Sequence, residues 1–523
     1  NNGAYGSTNQ IQIDASSISN SGMWNSMSEA YLEIPLVMVL SGVGTTGTVD
    51  ITNSAFVAGL KGGFHHLIDS MSVQLNNTTI IQQTRLNNIH AQFRYVSQAS
   101  LQDVALNGPT NFIIPDSTDS WKYSTTNGSQ NNSAIPVLGT VNVGVTGTAF
   151  NEGFYSRNKI TSFNIGSTGG RGAQLITDES KNSQIAKTWT KQISATARAW
   201  YIMAQIRLKD LHPYFATVPL MKNAYYKIYL NLNQASCTFT ASGTGYTIAP
   251  NNINVLGGGT MPFMLTNPSV GVTGMGLADG QDYTISLSVR SPYLQSQSSI
   301  ALLATNGQIS SCRLYVPCYV MDPTKEKQYL ESNGREKEIK YSDIYQYNYS
   351  FGASSPYNQL ISNGISKLKS VLVVPFFDKV PGSAGCAGVV AYQSPLASEP
   401  ATTSPLIASL QTEYNVQISG LNAYQTNIKY GYEHYLQELN QTGLNGNLTT
   451  GLCSSLISME SFMNNYGYLY TDCTRRLGSA FDAPASVQLI GNNSALVGVN
   501  FVVFLEFERS IKVDLFTGNV IQA

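Results

Sequence analysis

Glu506 and Glu508 stand two apart in the run FVVFLEFE at 501–508. On a strand, that spacing projects both carboxylates from one face, and paired carboxylates are the tools of glycoside hydrolysis. Glycosidase pairs, however, come from separate elements facing across a cleft, about 5 Å apart for retention and about 6.5 to 9.5 Å for inversion. Neighbours on one strand fit an exposed polar face opposite Leu505 and Phe507 better. Gly42-Val43-Gly44-Thr45-Thr46-Gly47 matches the spacing GxGxxG. That motif holds a pyrophosphate only where its last glycine opens a helix, and here the β-type residues Val49-Asp50-Ile51-Thr52 come next, so the segment reads as a loop after a strand. His65 and His66 are adjacent and, read on a strand, point to opposite faces, while His90, His212 and His434 are scattered. Without HExxH or a Cys/His spacing, no metal site is expected. GxSxG and GxxxxGK[ST] are both absent, which removes the commonest hydrolase and nucleoside-triphosphatase signatures. The expectation is a protein that is not an enzyme, with no catalytic, cofactor-binding or metal-ligating residues and no cofactor.

The elements that carry these residues belong to a chain of 523 residues with 12% charged side chains, 30 basic and 31 acidic. Soluble proteins average about 25%. Asn, Ser, Thr, Gln, Gly and Tyr fill the difference, and a surface of neutral hydrogen-bonding groups is covered by neighbours at little desolvation cost. Such a surface suits a large assembly. The 30 tyrosines fit packed protein interfaces better than base-stacking or sugar-binding platforms. A net charge of −1 without a Lys/Arg run gives no support for direct sequence-specific nucleic-acid binding. No apolar run approaches the ~20 residues of a membrane helix, so no transmembrane segment is expected. The first residue is Asn1 and not Met, which leaves room for a processed leader. Cys237, Cys312, Cys318, Cys386, Cys453 and Cys473 form no CxxC pair and read as reduced, buried thiols from a reducing compartment.

Strand signals dominate the chain. Residues 30–40 (AYLEIPLVMVL) end at a glycine-rich break, and 70–81 turn at Asn76-Asn77. Leu86, Ile89, Phe93, Val96 and Leu101 keep a helical period. Residues 107–190 read as long loops. A strand at 199–208, a helical turn at 209–215 and a strand at 224–232 come next. In that last strand Tyr226, Ile228, Leu230 and Leu232 share one face, and Lys227, Tyr229 and Asn231 the other. The Gly/Ser/Thr-rich stretch 240–259 reads as an inter-domain connection. Strands are expected again at 282–289, 312–320, 367–377 and 496–515, with a loop at 381–404. Residues 322–343 hold eleven charges of mixed sign, read as a solvated excursion. Two stretches share one phrase of strand, polar turn and amphipathic segment: SVQLNNTTIIQQTRLNNIHAQFRYVSQ at 72–98 and NVQISGLNAYQTNIKYGYEHYLQEL at 415–439. Short strands, long loops and few helices indicate an all-β chain of two consecutive jelly-roll sandwiches, at 1–245 and 246–523.

Taken in order, YLEIPL (31–36), LIDSMSVQLNNTTI (67–80), LNNIHAQFRYVSQ (86–98), RLKDLHPYFATVPLMKNAYYKIYLNLN (207–233) and VGVNFVVFLEFERSIKVDL (497–515) resemble the major capsid proteins of the double jelly-roll lineage, especially those of virophages and polinton-like viruses. The resemblance implies a structural protein that trimerises into pseudo-hexagonal capsomers and tiles an icosahedral shell. It implies as partners further copies of the same chain, with penton and minor capsid proteins, and a location in the virion after assembly inside the host cell. Two other readings stand beside it. One is a trimeric β-rich spike or receptor-binding adhesin, which would favour short repeats that this chain lacks. The other is a single jelly-roll capsid protein with long insertions.

Overall fold

The computed structural model describes residues 10–42, 58–60, 63–111, 188–194, 197–233, 236–242, 247–250, 263–265, 281–289, 312–377, 408–439, 459, 462, 466–474, 476–496 and 498–522. The expected loops at 107–190 and 381–404 fall largely outside them. Seven strands set the topology of the first sandwich: β1 (Gln10–Asp14), β2 (Tyr31–Gly42), β3 (Ile68–Leu75), β4 (Thr78–Ile81), β5 (Ala197–Arg207), β6 (Tyr226–Leu232) and β7 (Gln281–Val289), and Thr188–Ser194, Ser236–Ser242, Thr247–Pro250 and Arg313–Tyr315 extend its larger sheet. Eight set that of the second: β8 (Glu336–Phe351), β9 (Ser355–Ile365), β10 (Leu368–Phe377), β11 (Gln411–Ile418), β12 (Leu421–Asn422), β13 (Leu469–Asp472), β14 (Ala485–Asn493) and β15 (Val499–Asp514), with Val520–Gln522 added along the end of β15.

Sheet order identifies the architecture. In the second sandwich the sheets run β8-β15-β10-β13 and β9-β14-β11-β12, which in chain order is 1-8-3-6 over 2-7-4-5. That is the doubled Greek key of a jelly roll. In the first, β1-β6-β3-β4 forms one sheet and β7-β2-β5 lies within the other. Strands β1 to β7 therefore match β9 to β15 one by one, with the same 2-7-4-5 and 8-3-6 orders. The chain is all-β, a double jelly roll with a few short helices, and the single-sandwich reading is set aside.

Local chemistry explains the matched hairpins. Asn76 and Asn77 take φ of 45° and 66° between β3 and β4, and Ser419 and Gly420 take 51° and 82° between β11 and β12. Two consecutive left-handed residues make the turn whose twist suits a tight hairpin, and Asn and Gly tolerate that backbone best. These hairpins begin the two echoing phrases, and each leads toward a helix: α1 (Asn87–Gln98) in the first sandwich, and Tyr432–His434 continuing into the π-helix Tyr435–Leu439 in the second. The expected alternation in β6 holds, with Tyr226, Ile228 and Leu230 buried.

Three expectations change. The stretch at 240–259 is not only a connection: Ser236–Ser242 and Thr247–Pro250 are paired strands. Beyond it, β7 hydrogen-bonds along 36–42 of β2, and Arg313–Tyr315 continues on the same edge along 31–33. Residues 312–320 do not form one strand. Arg313–Tyr315 and Cys318–Tyr319 are separate, split at Val316-Pro317, where proline has no N–H to give a ladder. The charged stretch 322–343 begins as a solvated helix, α2 (Pro323–Asn333), with no buried residue and with the Asp322 side chain accepting from the Thr324 N–H. It then enters β8, where Asp343 is buried.

Two hydrophobic cores result, and they interlock. β8 and β15 pair without interruption from Glu336/Asp514 to Phe351/Val499. At about 3.3 Å per residue, this 16-residue ladder is about 50 Å long, several times the usual strand. Its upper part gives Val499, Phe501, Val503 and Leu505 to the second core. Its lower part gives Ile339, Tyr341, Ile511 and Val513 to the first. In exchange, α1 of the first sandwich packs Ile89, Phe93 and Val96 into the second core. Covered on more than one side, α1 also buries Asn87, Asn88, His90 and Gln92.

The burial in β6 gives a direct check. Ile228 is fully buried between Ile13 and Val73 on the neighbouring strands. Ile228→Asp buries a carboxylate without a partner, at several kcal/mol against a total of roughly 5 to 15 kcal/mol. Soluble folded protein should be largely lost. Asn231, whose Nδ2 donates to Ser70 Oγ at 2.7 Å, tolerates Asp because the serine hydroxyl can donate instead. Soluble yield and thermal midpoint of both variants decide, and a normal yield for Ile228→Asp would mean that the facing is inverted.

Candidate functional site

The titratable side chains converge on the seam between the two cores. All five histidines of the chain are buried. His65 and His66 lie on a one-turn helix, Phe64–Leu67, and not on a strand, and His65 Nε2 donates to Gln92 Oε1 at 2.7 Å. His90, on α1, places Nε2 3.9 Å from Glu506 Oε2 and its ring against Phe504. His212 comes directly after the helical turn Leu208–Leu211. Its Nδ1 accepts the Tyr214 N–H at 3.2 Å, which leaves the proton on Nε2, 3.4 Å from Asp343 Oδ1. Asp343 Oδ2 in turn accepts from Arg509 Nη1 at 3.2 Å, and Tyr341 OH donates to the Ile80 carbonyl at 2.6 Å. Imidazoles from the first sandwich thus meet carboxylates on β8 and β15.

Electrostatics here are governed by enclosure. Burial lowers the affinity of His90 and His212 for a proton, more than Glu506 and Asp343 raise it. Burial works to raise the pKa of Glu506, but hydrogen bonding and charge from His90, with Ser342 and Arg94, outweigh it and bring the carboxyl down to about 2. Asp343 is likewise lowered: His212, the Ile344 N–H and Arg509 overcome its desolvation. The result is neutral imidazole beside ionised carboxylate. His434, within the second core, is pushed down to about 4 by burial.

Most side chains singled out in the sequence fall among the described residues. Glu506 and Glu508 do not form an exposed polar face: Glu506 joins the seam, and Glu508 lies 3.7 Å from Lys367. They have different partners and do not face each other across a cleft. Gly42 ends β2, and positions 43–47 of the glycine motif lie outside the described residues. Among the described residues, no group of three or more His, Cys, Asp or Glu is placed to hold a metal, and no helix is long and apolar enough to cross a membrane. Cys312 and Cys473 are free and buried, but Cys318 is exposed. Cys386 and Cys453 lie outside the described residues. At least ten tyrosines are buried within the chain itself, bonded internally as in Tyr214/Tyr226 at 2.9 Å and Tyr424 to Thr471 at 2.9 Å, so the fold's own cores take up much of the content expected at interfaces. The seam was missed in the sequence because its partners stand more than a hundred positions apart. The one available signal was that the few charges of the last strand interrupt an apolar run.

No family model and no curated protein matches the chain. Among solved structures it is similar to the Sputnik virophage at 12% identity, covering 99% of this chain and 86% of the other with a TM-score of 0.46. It is similar to the mavirus major capsid protein at 9% identity, covering 100% and 88% with a TM-score of 0.45. The Faustovirus major capsid protein is similar at 11% identity, 97% and 88% coverage and a TM-score of 0.38. The fold assignment rests on the strand order and not on these scores.

The seam makes stability depend on pH. With folded pKa values below the ordinary value of about 6.5, His90, His212 and His434 refuse protons that the unfolded chain accepts. Their contribution is complete above about pH 6.5 and is lost as the pH falls. Glu506 and Asp343, held below the usual carboxylate range, add a second loss below about pH 4. The thermal midpoint should therefore fall by several degrees from pH 7 to 5. In a His90→Gln/His212→Gln double variant that slope should flatten, and curves of equal slope would refute the assignment.

Proposed function

We propose that the chain is the major shell protein of an icosahedral virus, a homotrimer in which three double sandwiches form a capsomer with six similar corners. The observation that carries this reading is the strand order 2-7-4-5 and 8-3-6 occurring twice in one chain. A jelly roll by itself serves shells, lectins and cupin enzymes alike. Two in tandem in every copy turn threefold symmetry into a nearly sixfold outline, which packs on a hexagonal lattice. Composition supports it further, since a surface poor in charge is covered by neighbours at low desolvation cost. Exposed Leu360, Leu421, Leu477 and Leu496 on the second sandwich offer apolar contacts to neighbouring copies.

On this reading the function lies in contacts and not in catalysis. Fivefold positions and gaps between capsomers call for separate penton and minor proteins. The location is the virion, reached after assembly in the host cell, where free cysteines stay reduced. We also propose that the divide between the two units lies within 316–335 and not at 245/246, with α2 as the connector, because the strands paired to β2 extend as far as Tyr315.

Native mass spectrometry of the purified protein should give three times the 56.6 kDa chain mass, and negative-stain images should show six-cornered particles of that mass. A stable monomer or dimer would overturn the capsomer. Fibrous trimers would favour the spike or adhesin instead.

A further inference from the structure

Strand β8 ends the sheet β8-β15-β10-β13, and among the described residues β15 is the only strand paired with it. Its other edge has no ladder. Backbone groups of successive residues alternate between the two sides of an antiparallel strand. On the β15 side, the Arg335 carbonyl accepts the Leu515 N–H at 2.9 Å. On the other side, the Ile344 carbonyl accepts from Thr84 Oγ1 at 3.2 Å, and the Ile344 N–H donates to Asp343 Oδ1 at 2.9 Å instead of to the ladder. Odd-numbered residues therefore serve β15, and even-numbered ones turn their backbone outward. Below Ile344 the strand carries Glu336, Lys337, Glu338 and Lys340, and charge is a common guard against pairing with another chain. Above it, residues 345–351 (YQYNYSF) hold neither charge nor proline. The other edges of the second sandwich are blunted: β9 has Pro356 and two register breaks, and β12 and β13 are only two and four residues long.

An uncharged, unpaired edge is a template for one more strand, and the residues along it specify which strand fits. They fit themselves. Set antiparallel to its own copy about Asn348, the stretch brings outward-turned residues into register: Asn348 meets Asn348, and Gln346 meets Ser350. Each such pair exchanges two backbone hydrogen bonds. Side chains directly opposite each other share a face of the sheet, so Tyr345 meets Phe351 and Tyr347 meets Tyr349 on one face, while amides and hydroxyls meet on the other. Aromatic pairs across strands are favourable, and no like charges are opposed. Tyr345, Asn348 and Ser350 are exposed, and Gln346, Tyr347, Tyr349 and Phe351 half-buried. Both ends of the pairing are bounded, because Thr84 takes the edge at Ile344 and the strand ends at Phe351. We propose that two copies of the chain join through this edge, antiparallel about a twofold axis at Asn348, so that their sheets become one. The pairing carries no assumption about threefold assembly.

Disulfide trapping in the full chain tests both the contact and its register. The background is Cys318→Ser, which removes an exposed native thiol. On it, Asn348→Cys, Gln346→Cys and the double variant Gln346→Cys/Ser350→Cys are oxidised with glutathione disulfide and run on a non-reducing denaturing gel. Residues in a bonded pair stand about 5.5 Å apart, within the roughly 4.4 to 6.8 Å that a disulfide spans. Asn348→Cys and the double variant should each give a covalent dimer at least ~10-fold faster than the background chain. Gln346→Cys alone should not, since its two copies would lie about 14 Å apart along the paired strands. An Asn348→Cys chain that links no faster than the background would overturn the proposal, as would equal linking by Gln346→Cys alone. The gel reads only the covalent bond, so failure of the threefold capsomer leaves a positive result standing, and a capsomer that forms without the bond refutes the pairing alone. Thermal midpoints of the reduced variants show separately that each is folded.

Discussion

The ladder between β8 and β15 is the constraint on which the rest depends. Sixteen residues paired on each side exceed what one sandwich can cover, so the lower ends of both strands must be buried elsewhere. The first sandwich supplies that cover around Ile339, Tyr341, Ile511 and Val513. The relation between the two units is consequently set by continuous backbone hydrogen bonding and not by a linker. Inter-domain contacts within a chain are ordinarily polar and permit motion. Here each core contains side chains of the other unit, and sliding one against the other would expose both.

Much of this was legible, and the reasons differ by element. The facing of β6 could be read from a period of two, because one sheet face is buried and the other is not. Hairpin β3/β4 could be read from Asn76-Asn77, because left-handed turns select a narrow set of residues. Each of these signals is local. The strands at 236–242 and 247–250 were not legible, because Gly- and Ser-rich residues near 240–259 resemble a connection, whereas these strands are held by backbone pairing that composition does not encode. Nor was the pairing of the half-buried Glu506 and the buried Asp343, whose partners His90 and His212 come from the other half of the chain.

The two units also show what a repeated topology leaves free. Matched strands differ in length, five residues in β1 against eleven in β9, and the helix after the second hairpin strand is twelve residues in one unit, whereas in the other three α-helical residues run into five π-helical ones, Tyr435–Leu439. Sheet order and hairpin turns are retained, while the helix has been put to different uses. In the first unit it reaches across to the neighbouring core. In the second it stays within its own, where His434 contacts the Tyr470 carbonyl at 2.6 Å.

Buried ions at the seam are hard to justify as a source of stability, since desolvation offsets most of their attraction. Their value lies in register. If β8 slipped by two residues along β15, every side chain would still face its proper side, and the apolar contacts would re-form with substitutes of similar kind. Asp343 would then move about 7 Å from Arg509 and His212 and would be left buried without a partner. Breaking a buried pair costs about 3 to 5 kcal/mol, a large fraction of the net stability of a domain. Hydrophobic packing holds the two sandwiches together without direction, and the few charges placed between them select the one register in which all are satisfied.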